Sequence, residues 1–204
     1  MRKGFSLIEL IVVLAIIGIL LAVVLPQINV FRNKARNSGK IEYIRQLNTG
    51  LSFYYSRFGG YPLPPGGDIN GGSNCPGYET NEPCFINGHP YSSTGLFGNT
   101  QFNNNMKPYF SSINSISKTP VLGSISGITK NYAGVSYGVF GPCNTINQTC
   151  QSAELIWYLD GTTQNCAPGY RWSCGTDPAD TSRAYGVTQC RMDIPRQSTN
   201  VDKC

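Results

Sequence analysis

Charge is what this sequence has least of. Only 13% of its 204 residues are charged, it contains one histidine, and no charged side chain occurs between Glu9 and Arg32. The HExxH motif and the glycine-rich phosphate loop are absent, which argues against the enzyme classes that they mark. His89 stands between a glycine and a proline and is predicted to be a solvated loop residue. We expect no enzyme, no cofactor and no resident metal.

The cysteines lack the CxxC pairs of zinc sites and the CxxCH motif of covalent haem. Their number is even and they all follow residue 74, which indicates disulfides formed in an oxidising compartment. Sequence alone does not decide the connectivity, but the spacing favours four local bridges. These would join Cys75 to Cys84, Cys143 to Cys150, Cys166 to Cys174, and Cys190 to Cys204.

The uncharged run contains 22 residues, Leu10–Phe31, mostly Leu, Ile, Val and Ala. About 20 such residues cross the hydrocarbon core of a bilayer as a helix. A secretory signal would end in a small-residue cleavage site, and none follows here, so we expect the segment to be retained as an anchor. Glu9 lies near its start, where a buried carboxylate normally has a cationic partner.

The N-terminus resembles that of bacterial type IV pilins and type II secretion pseudopilins. The resemblance rests on the leader Met1–Gly4, the sequence Phe5–Leu10, and the apolar run containing Gly18 and Pro26. It implies that a prepilin peptidase cleaves after Gly4 and methylates the new amino terminus of Phe5.

The same resemblance implies that Glu9 pairs with the Phe5 amine of a neighbouring subunit during assembly, although its own Phe5 amine is a second candidate partner. Gly18 and Pro26 both weaken a helix. They predict either a soft stretch that loses helical structure on assembly or a plain kink. The resemblance also favours a disulfide that closes the C-terminal end, as the Cys190–Cys204 pairing would.

We therefore predict an α+β pilin fold, with a long N-terminal helix packed on an antiparallel sheet and a disulfide-braced, loop-rich C-terminal region. The predicted parts are a leader (1–4), a membrane and filament-core helix (5–30) and a globular domain (31–204). Within the domain we expect an amphipathic helix to about residue 58, an irregular loop over 59–110, and a sheet with disulfide loops over 111–204.

The amphipathic helix is predicted to bury Ile41, Ile44, Leu51, Tyr55 and Phe58, with Lys40 largely off this stripe. Strands are expected at 121–128, 132–140, 154–159 and 183–192, with a tight turn at Asp160-Gly161. Two further features remain open: loose calcium ligation by Asp160, Asp177 and Asp180, and a formal glycosylation sequon at Asn147.

The expected function is that of a structural subunit. Its partners would be further copies of itself in a helical filament, the prepilin peptidase, and the inner membrane with its assembly platform. We expect a single-pass inner-membrane protein before assembly and an extracellular pilus, or a periplasmic pseudopilus, afterwards.

A different class of function is a minor pilin or a membrane-tethered adhesive module. After removal of the leader, 14 basic and 11 acidic residues leave a net charge of +3. That is compatible only with weak binding of DNA or of an anionic surface.

Overall fold

The computed structural model describes residues 7–86, 95–180, 183–195 and 202–204. The chain divides into two units, Met1–Arg36 and Asn37–Cys204. Helix α1 (Leu7–Phe58) begins in the first unit and ends in the second. Gly59 follows α1 with a φ of 72°, a left-handed conformation that glycine adopts at low cost and that stops a helix.

The second unit contains ten strands and two short helices among its described residues. The strands are β1 (Tyr61–Pro62), β2 (Gly71–Thr80), β3 (Pro83–Ile86), β4 (Leu96–Gly98), β5 (Val121–Ile125), β6 (Ile128–Tyr132), β7 (Val135–Asn144), β8 (Thr149–Asp160), β9 (Tyr170–Ser173) and β10 (Val187–Ile194). The helices are α2 (Thr100–Met106) and a 3-10 helix at Ile113–Ser115.

The strands follow the order β5-β6-β3-β4-β2-β7-β8-β10-β9, and β1 pairs with β8 beside this path. Every pair is antiparallel except β2 with β4. Together with α1, this sheet confirms the predicted α+β class. It also confirms the expectation of antiparallel pairing, since no helix-sized connection was available to carry parallel crossovers.

The segment 59–110 differs from the irregular loop that we predicted, because its described residues contain β1 to β4 and α2. Its glycine-rich strand β2 pairs through Gly71–Asn74 with Tyr137–Phe140 of β7. Glycine, asparagine and proline have low strand propensity, so local composition misses a strand that is held by its neighbours. The bridge Cys75–Cys84 links β2 to β3.

The predicted strand at 121–128 is a hairpin. Ser126 and Gly127 both have positive φ, 52° and 75°, which reverses the chain between β5 and β6. Two successive positive φ values are typical of the tight turns that match the twist of antiparallel strands. The strand predicted at 183–192 corresponds to β10, which begins later, at Val187. Strand β9 was not predicted.

The buried face of α1 in the second unit also differs from the predicted stripe. Tyr43, Ile44, Leu47 and Leu51 are buried in one apolar cluster with the sheet. Tyr55 and Phe58, which we expected there, are 42% and 46% exposed.

Lys40, which we placed off the stripe, is only 4% exposed. Its ammonium group donates to the carbonyl oxygen of Tyr158 at 3.0 Å, and this bond makes the burial tolerable. Asn37 joins α1 to the end of β8 in a similar way. Its side chain accepts from the Asp160 N–H at 2.9 Å and donates to the Asp160 carbonyl at 3.0 Å.

Two of the four disulfides follow the spacing prediction, Cys75–Cys84 and Cys143–Cys150. The other two predicted pairs are wrong, because the structure joins Cys166 to Cys190 and Cys174 to Cys204. The reason is strand pairing. Cys190 lies within β10, directly beside Arg171 of β9, and so it is close to the chain just before β9.

The C-terminal residues lie along β9, where the Lys203 N–H donates to the Arg171 carbonyl at 2.9 Å. Cys204 is therefore close enough to form a disulfide with Cys174, the residue that follows β9.

Candidate functional site

The candidate site is the exposed apolar surface of the first unit. Apart from the half-buried Ile28, the exposed fraction of the large apolar side chains from Leu7 to Phe31 runs from 46% at Ile17 to 75% at Leu7. By length and composition, α1 is able to cross a membrane, and no residue in its most apolar 18-residue stretch is buried. A contiguous apolar surface this large marks contact with a membrane or with other protein. The first unit therefore requires a covering that its own chain does not supply.

Glu9 is exposed and lies in the first turn of α1. The positive end of a helix dipole favours a carboxylate at that position. Gly4 and Phe5, the predicted cleavage and methylation positions, lie outside the described residues. The assembly and processing roles of these three residues thus remain predictions.

Gly18 and Pro26 both lie inside α1, which continues as a helix through both positions. A Cβ atom added at Gly18 would meet nothing within 4 Å, so packing within this chain does not require glycine there. Proline lacks the N–H that would bond to the carbonyl four residues earlier. The two residues lower the cost of unwinding this stretch, and the predicted softness between them remains a prediction.

Sequence reasoning missed a cluster of cations just after the apolar run. Arg32, Lys34 and Arg36 fall within five residues, and the sequence contains no acidic residue between Glu9 and Glu42. Their position directly after the apolar run could have identified them, because basic side chains that flank an apolar span contact lipid headgroups.

The C-terminal residues form a second polar cluster that sequence reasoning did not identify. Arg171 donates from two guanidinium nitrogens to one carboxylate oxygen of Asp202, at 2.7 and 3.1 Å. These hydrogen bonds hold the pKa of Asp202 below its usual value. Lys203 and Arg191 lie over the ring of Trp172, at 3.7 and 4.8 Å from its centroid. The Arg171–Asp202 ion pair and the contact of Lys203 with Trp172 hold the C-terminal residues on β9.

The remaining chemical candidates stay apart. No group of three or more potential ligands that could hold a metal occurs among the described residues, and Asp160, Asp177 and Asp180 do not form one. The carboxylate of Asp177 instead accepts from the Ala179 N–H at 2.8 Å. Asn147 of the sequon is exposed. His89 lies outside the described residues.

Comparison with known proteins identifies the N-terminal segment. Residues 1–25 match the model of the prokaryotic N-terminal methylation motif. The N-terminus of the chain is thus similar to that of proteins with this motif. The match covers residues 1–4, which we predicted to be a leader, and most of the apolar run, including Glu9 and Gly18.

The similar pilins match over part of their length. The type IV major pilin protein PilE1 of Neisseria gonorrhoeae is 39% identical over 62 residues, which are 30% of this chain and 38% of that protein. A fimbrial protein of Neisseria meningitidis serogroup B is 39% identical over 62 residues, 30% of this chain and 36% of that protein. The chain thus matches little more than a third of the length of these relatives. No solved structure matches it significantly.

Proposed function

We propose that this protein is the structural subunit of a type IV pilus-like filament. It is inserted in the inner membrane, cleaved after Gly4, N-methylated at Phe5 and polymerised through α1. One observation carries the proposal: a prepilin methylation motif leads directly into a helix whose apolar side chains are exposed from Leu7 to Phe31.

The exposed apolar surface supports a role in both membrane and filament. Burying one Leu, Ile or Val side chain contributes about 1.5–3 kcal/mol, so this unit is unstable in water without a cover. Lipid supplies that cover before assembly, and the helices of neighbouring subunits supply it afterwards. The apolar surface remains out of water throughout, and transfer between the two environments requires no refolding of the second unit.

Glu9 supplies the specificity that apolar packing lacks. In a bundle of similar apolar helices, many axial positions of one helix along another bury the same area. A carboxylate that must meet the Phe5 amine of a neighbour selects one of them, because an unpaired charge in a medium of low dielectric is costly. Cleavage is needed first, since the amine of Phe5 does not exist before the leader is removed.

Mass spectrometry of purified filaments tests the processing. The expected N-terminal peptide begins at Phe5 and carries one methyl group, about 14 mass units, which matches the methylation motif. Recovery of intact Met1 from assembled material would contradict the proposal.

A Glu9→Gln variant tests the assembly step. Glutamine keeps the size and much of the hydrogen bonding but removes the charge, so membrane insertion and cleavage should persist while filament yield falls. The measurement compares processed subunit in membranes with subunit in sheared filaments.

Glu42→Gln is the matched control, because Glu42 is an exposed carboxylate of α1 that pairs with Arg45 at 3.8 Å and accepts from Gln46 at 3.0 Å. Equal filament yields from the two variants would rule out the pairing mechanism. Electron microscopy of sheared cells then separates long surface fibres from a short periplasmic pseudopilus.

A further inference from the structure

The cations that follow the apolar run form a defined group, Arg32, Lys34 and Arg36, here called the basic collar. Arg32 and Lys34 are exposed. Within the described part of the chain, neither has an ion pair or a side-chain hydrogen bond. Arg36 is half-buried and donates to the Asn33 side chain at 2.6 Å. Arg32 and Lys34 are therefore the two members of the collar whose charges are exposed to the surroundings.

The position of the collar along α1 matches the thickness of a bilayer. An α-helix rises about 1.5 Å per residue, so the uncharged run from Leu10 to Phe31 is about 33 Å long. The hydrocarbon core of a bilayer is about 30 Å thick. Phe31, which is 63% exposed, lies directly before the collar at the depth where aromatic side chains meet headgroups.

The collar also surrounds the helix. Successive helical residues are about 100° apart, so Lys34 lies about 200° around the axis from Arg32. The two cations thus point to opposite sides of α1. One protein surface would contact one side, whereas headgroups surround a membrane helix on all sides.

We propose that the basic collar binds the phosphates of anionic phospholipids in the outer leaflet of the inner membrane. The proposal rests on the proposed function, which inserts α1 with its N-terminus on the cytoplasmic side. Arginine and lysine place their long apolar stems along the hydrocarbon and their charges among the phosphates. After cleavage the chain has no basic side chain before Arg32, so the collar is the electrostatic anchor of the processed subunit.

The collar has a consequence for assembly. A subunit that leaves the membrane must exchange these phosphates for water or for groups of its neighbours. Weakening the collar should therefore ease extraction without changing the apolar cover. Anionic lipid at this leaflet sets how firmly the subunit is held before it is polymerised.

Electron spin resonance of spin-labelled lipids tests the proposal on the processed chain, residues 5–204, because the leader carries two further cations, Arg2 and Lys3. The protein is reconstituted in phosphatidylcholine vesicles that contain traces of spin-labelled phosphatidylglycerol or spin-labelled phosphatidylcholine. The motionally restricted fraction of each lipid gives their relative association with the helix. We expect the native chain to prefer phosphatidylglycerol at least about threefold, because each cation near the surface attracts anionic lipid.

The double variant Arg32→Gln/Lys34→Gln should lose most of this preference, and Arg32→Lys/Lys34→Arg should keep it. The control Arg45→Gln/Arg57→Gln removes two exposed cations from α1 in the second unit and should leave the preference intact. High salt should weaken the native preference, because the exposed charges are then screened.

An inserted native chain without preference for phosphatidylglycerol would overturn the collar proposal, and so would a preference that survives in the Gln variant. A native chain that alkali extracts from the vesicles would overturn the anchoring as well, and with it the proposed function. An inserted chain with the expected preference supports the collar even where filaments are absent.

Discussion

The buried side chain of Asn103, which is 2% exposed, links α2 to β2. Its amide oxygen accepts from the Gly77 N–H at 2.9 Å, and its amide nitrogen donates to the Tyr78 carbonyl at 2.7 Å. Gly77 has a φ of 83°, so β2 is irregular here and its backbone groups need a partner from outside the strand. We predict that Asn103→Ala destabilises the second unit.

The magnitude follows from the two backbone groups that lose their partner. An orphaned buried donor or acceptor costs about 1–3 kcal/mol, so two of them cost about 2–6 kcal/mol. For a chain of this length, that corresponds to a fall in Tm of about 4–24 °C. Asn105→Ala makes the same chemical change in the same helix at an exposed position. The gain in helix propensity from Asn to Ala cancels between the two variants.

The assay is urea unfolding of the full chain in mild detergent, followed by the fluorescence of Trp157, which is fully buried. Asn105→Ala should unfold at a midpoint close to that of the native chain, whereas the midpoint of Asn103→Ala should be clearly lower. If the two variants unfold together, the reasoning from orphaned backbone groups is refuted, since this side chain would then contribute nothing beyond propensity.

Tryptic digestion without reduction should release the peptide Trp172–Arg183 linked to Cys204, as the structure pairs Cys174 with Cys204. Recovery of the peptide 184–191 linked to Cys204 would instead restore the local pairing. Burial raises the pKa of Tyr132 and that of Tyr170 to about 12. Since the unfolded chain releases these protons near pH 10, stability should fall between about pH 10 and 12, and absorbance at 295 nm should show delayed tyrosine ionisation.

The first unit was predictable because its properties are local. A run of apolar residues without charge dictates both a helix and a nonpolar environment, whichever fold follows. The methylation motif was confirmed for the same reason, since it lies within residues 1–25. The fold class was also confirmed, although the roles of Phe5 and Glu9 remain predictions.

The second unit was less predictable because its strands pair with strands that are far away in the sequence. Strand β2 is stabilised by pairing with β7, which lies more than 60 residues later in the chain. The composition of β2 alone does not indicate that partner. Lys40 was wrongly predicted to lie on the solvated face of α1, because its charge favours exposure. In the structure it is buried and donates to a backbone carbonyl. Both errors arise where tertiary contacts override local preference.

Cysteine spacing gave the wrong pairing for the last four cysteines for the same reason, since strand pairing brings distant cysteines together. The loop Cys166–Cys190 spans 24 residues and Cys174–Cys204 spans 30, and the two loops overlap. In the chain-entropy account each would stabilise the fold by about 3.5 kcal/mol, but overlapping loops restrict the same unfolded chain, so their contributions are not additive.

The pairing of nearest cysteines would close two short loops and leave the C-terminal residues joined only to β10. The observed pairing instead joins those residues to β9, where the Arg171–Asp202 ion pair already holds them. Strand β9 is at the edge of the sheet, and its Arg171 N–H and carbonyl would otherwise be open to another chain. The overlapping bridges thus cover an edge strand and protect it from disordered association with other chains.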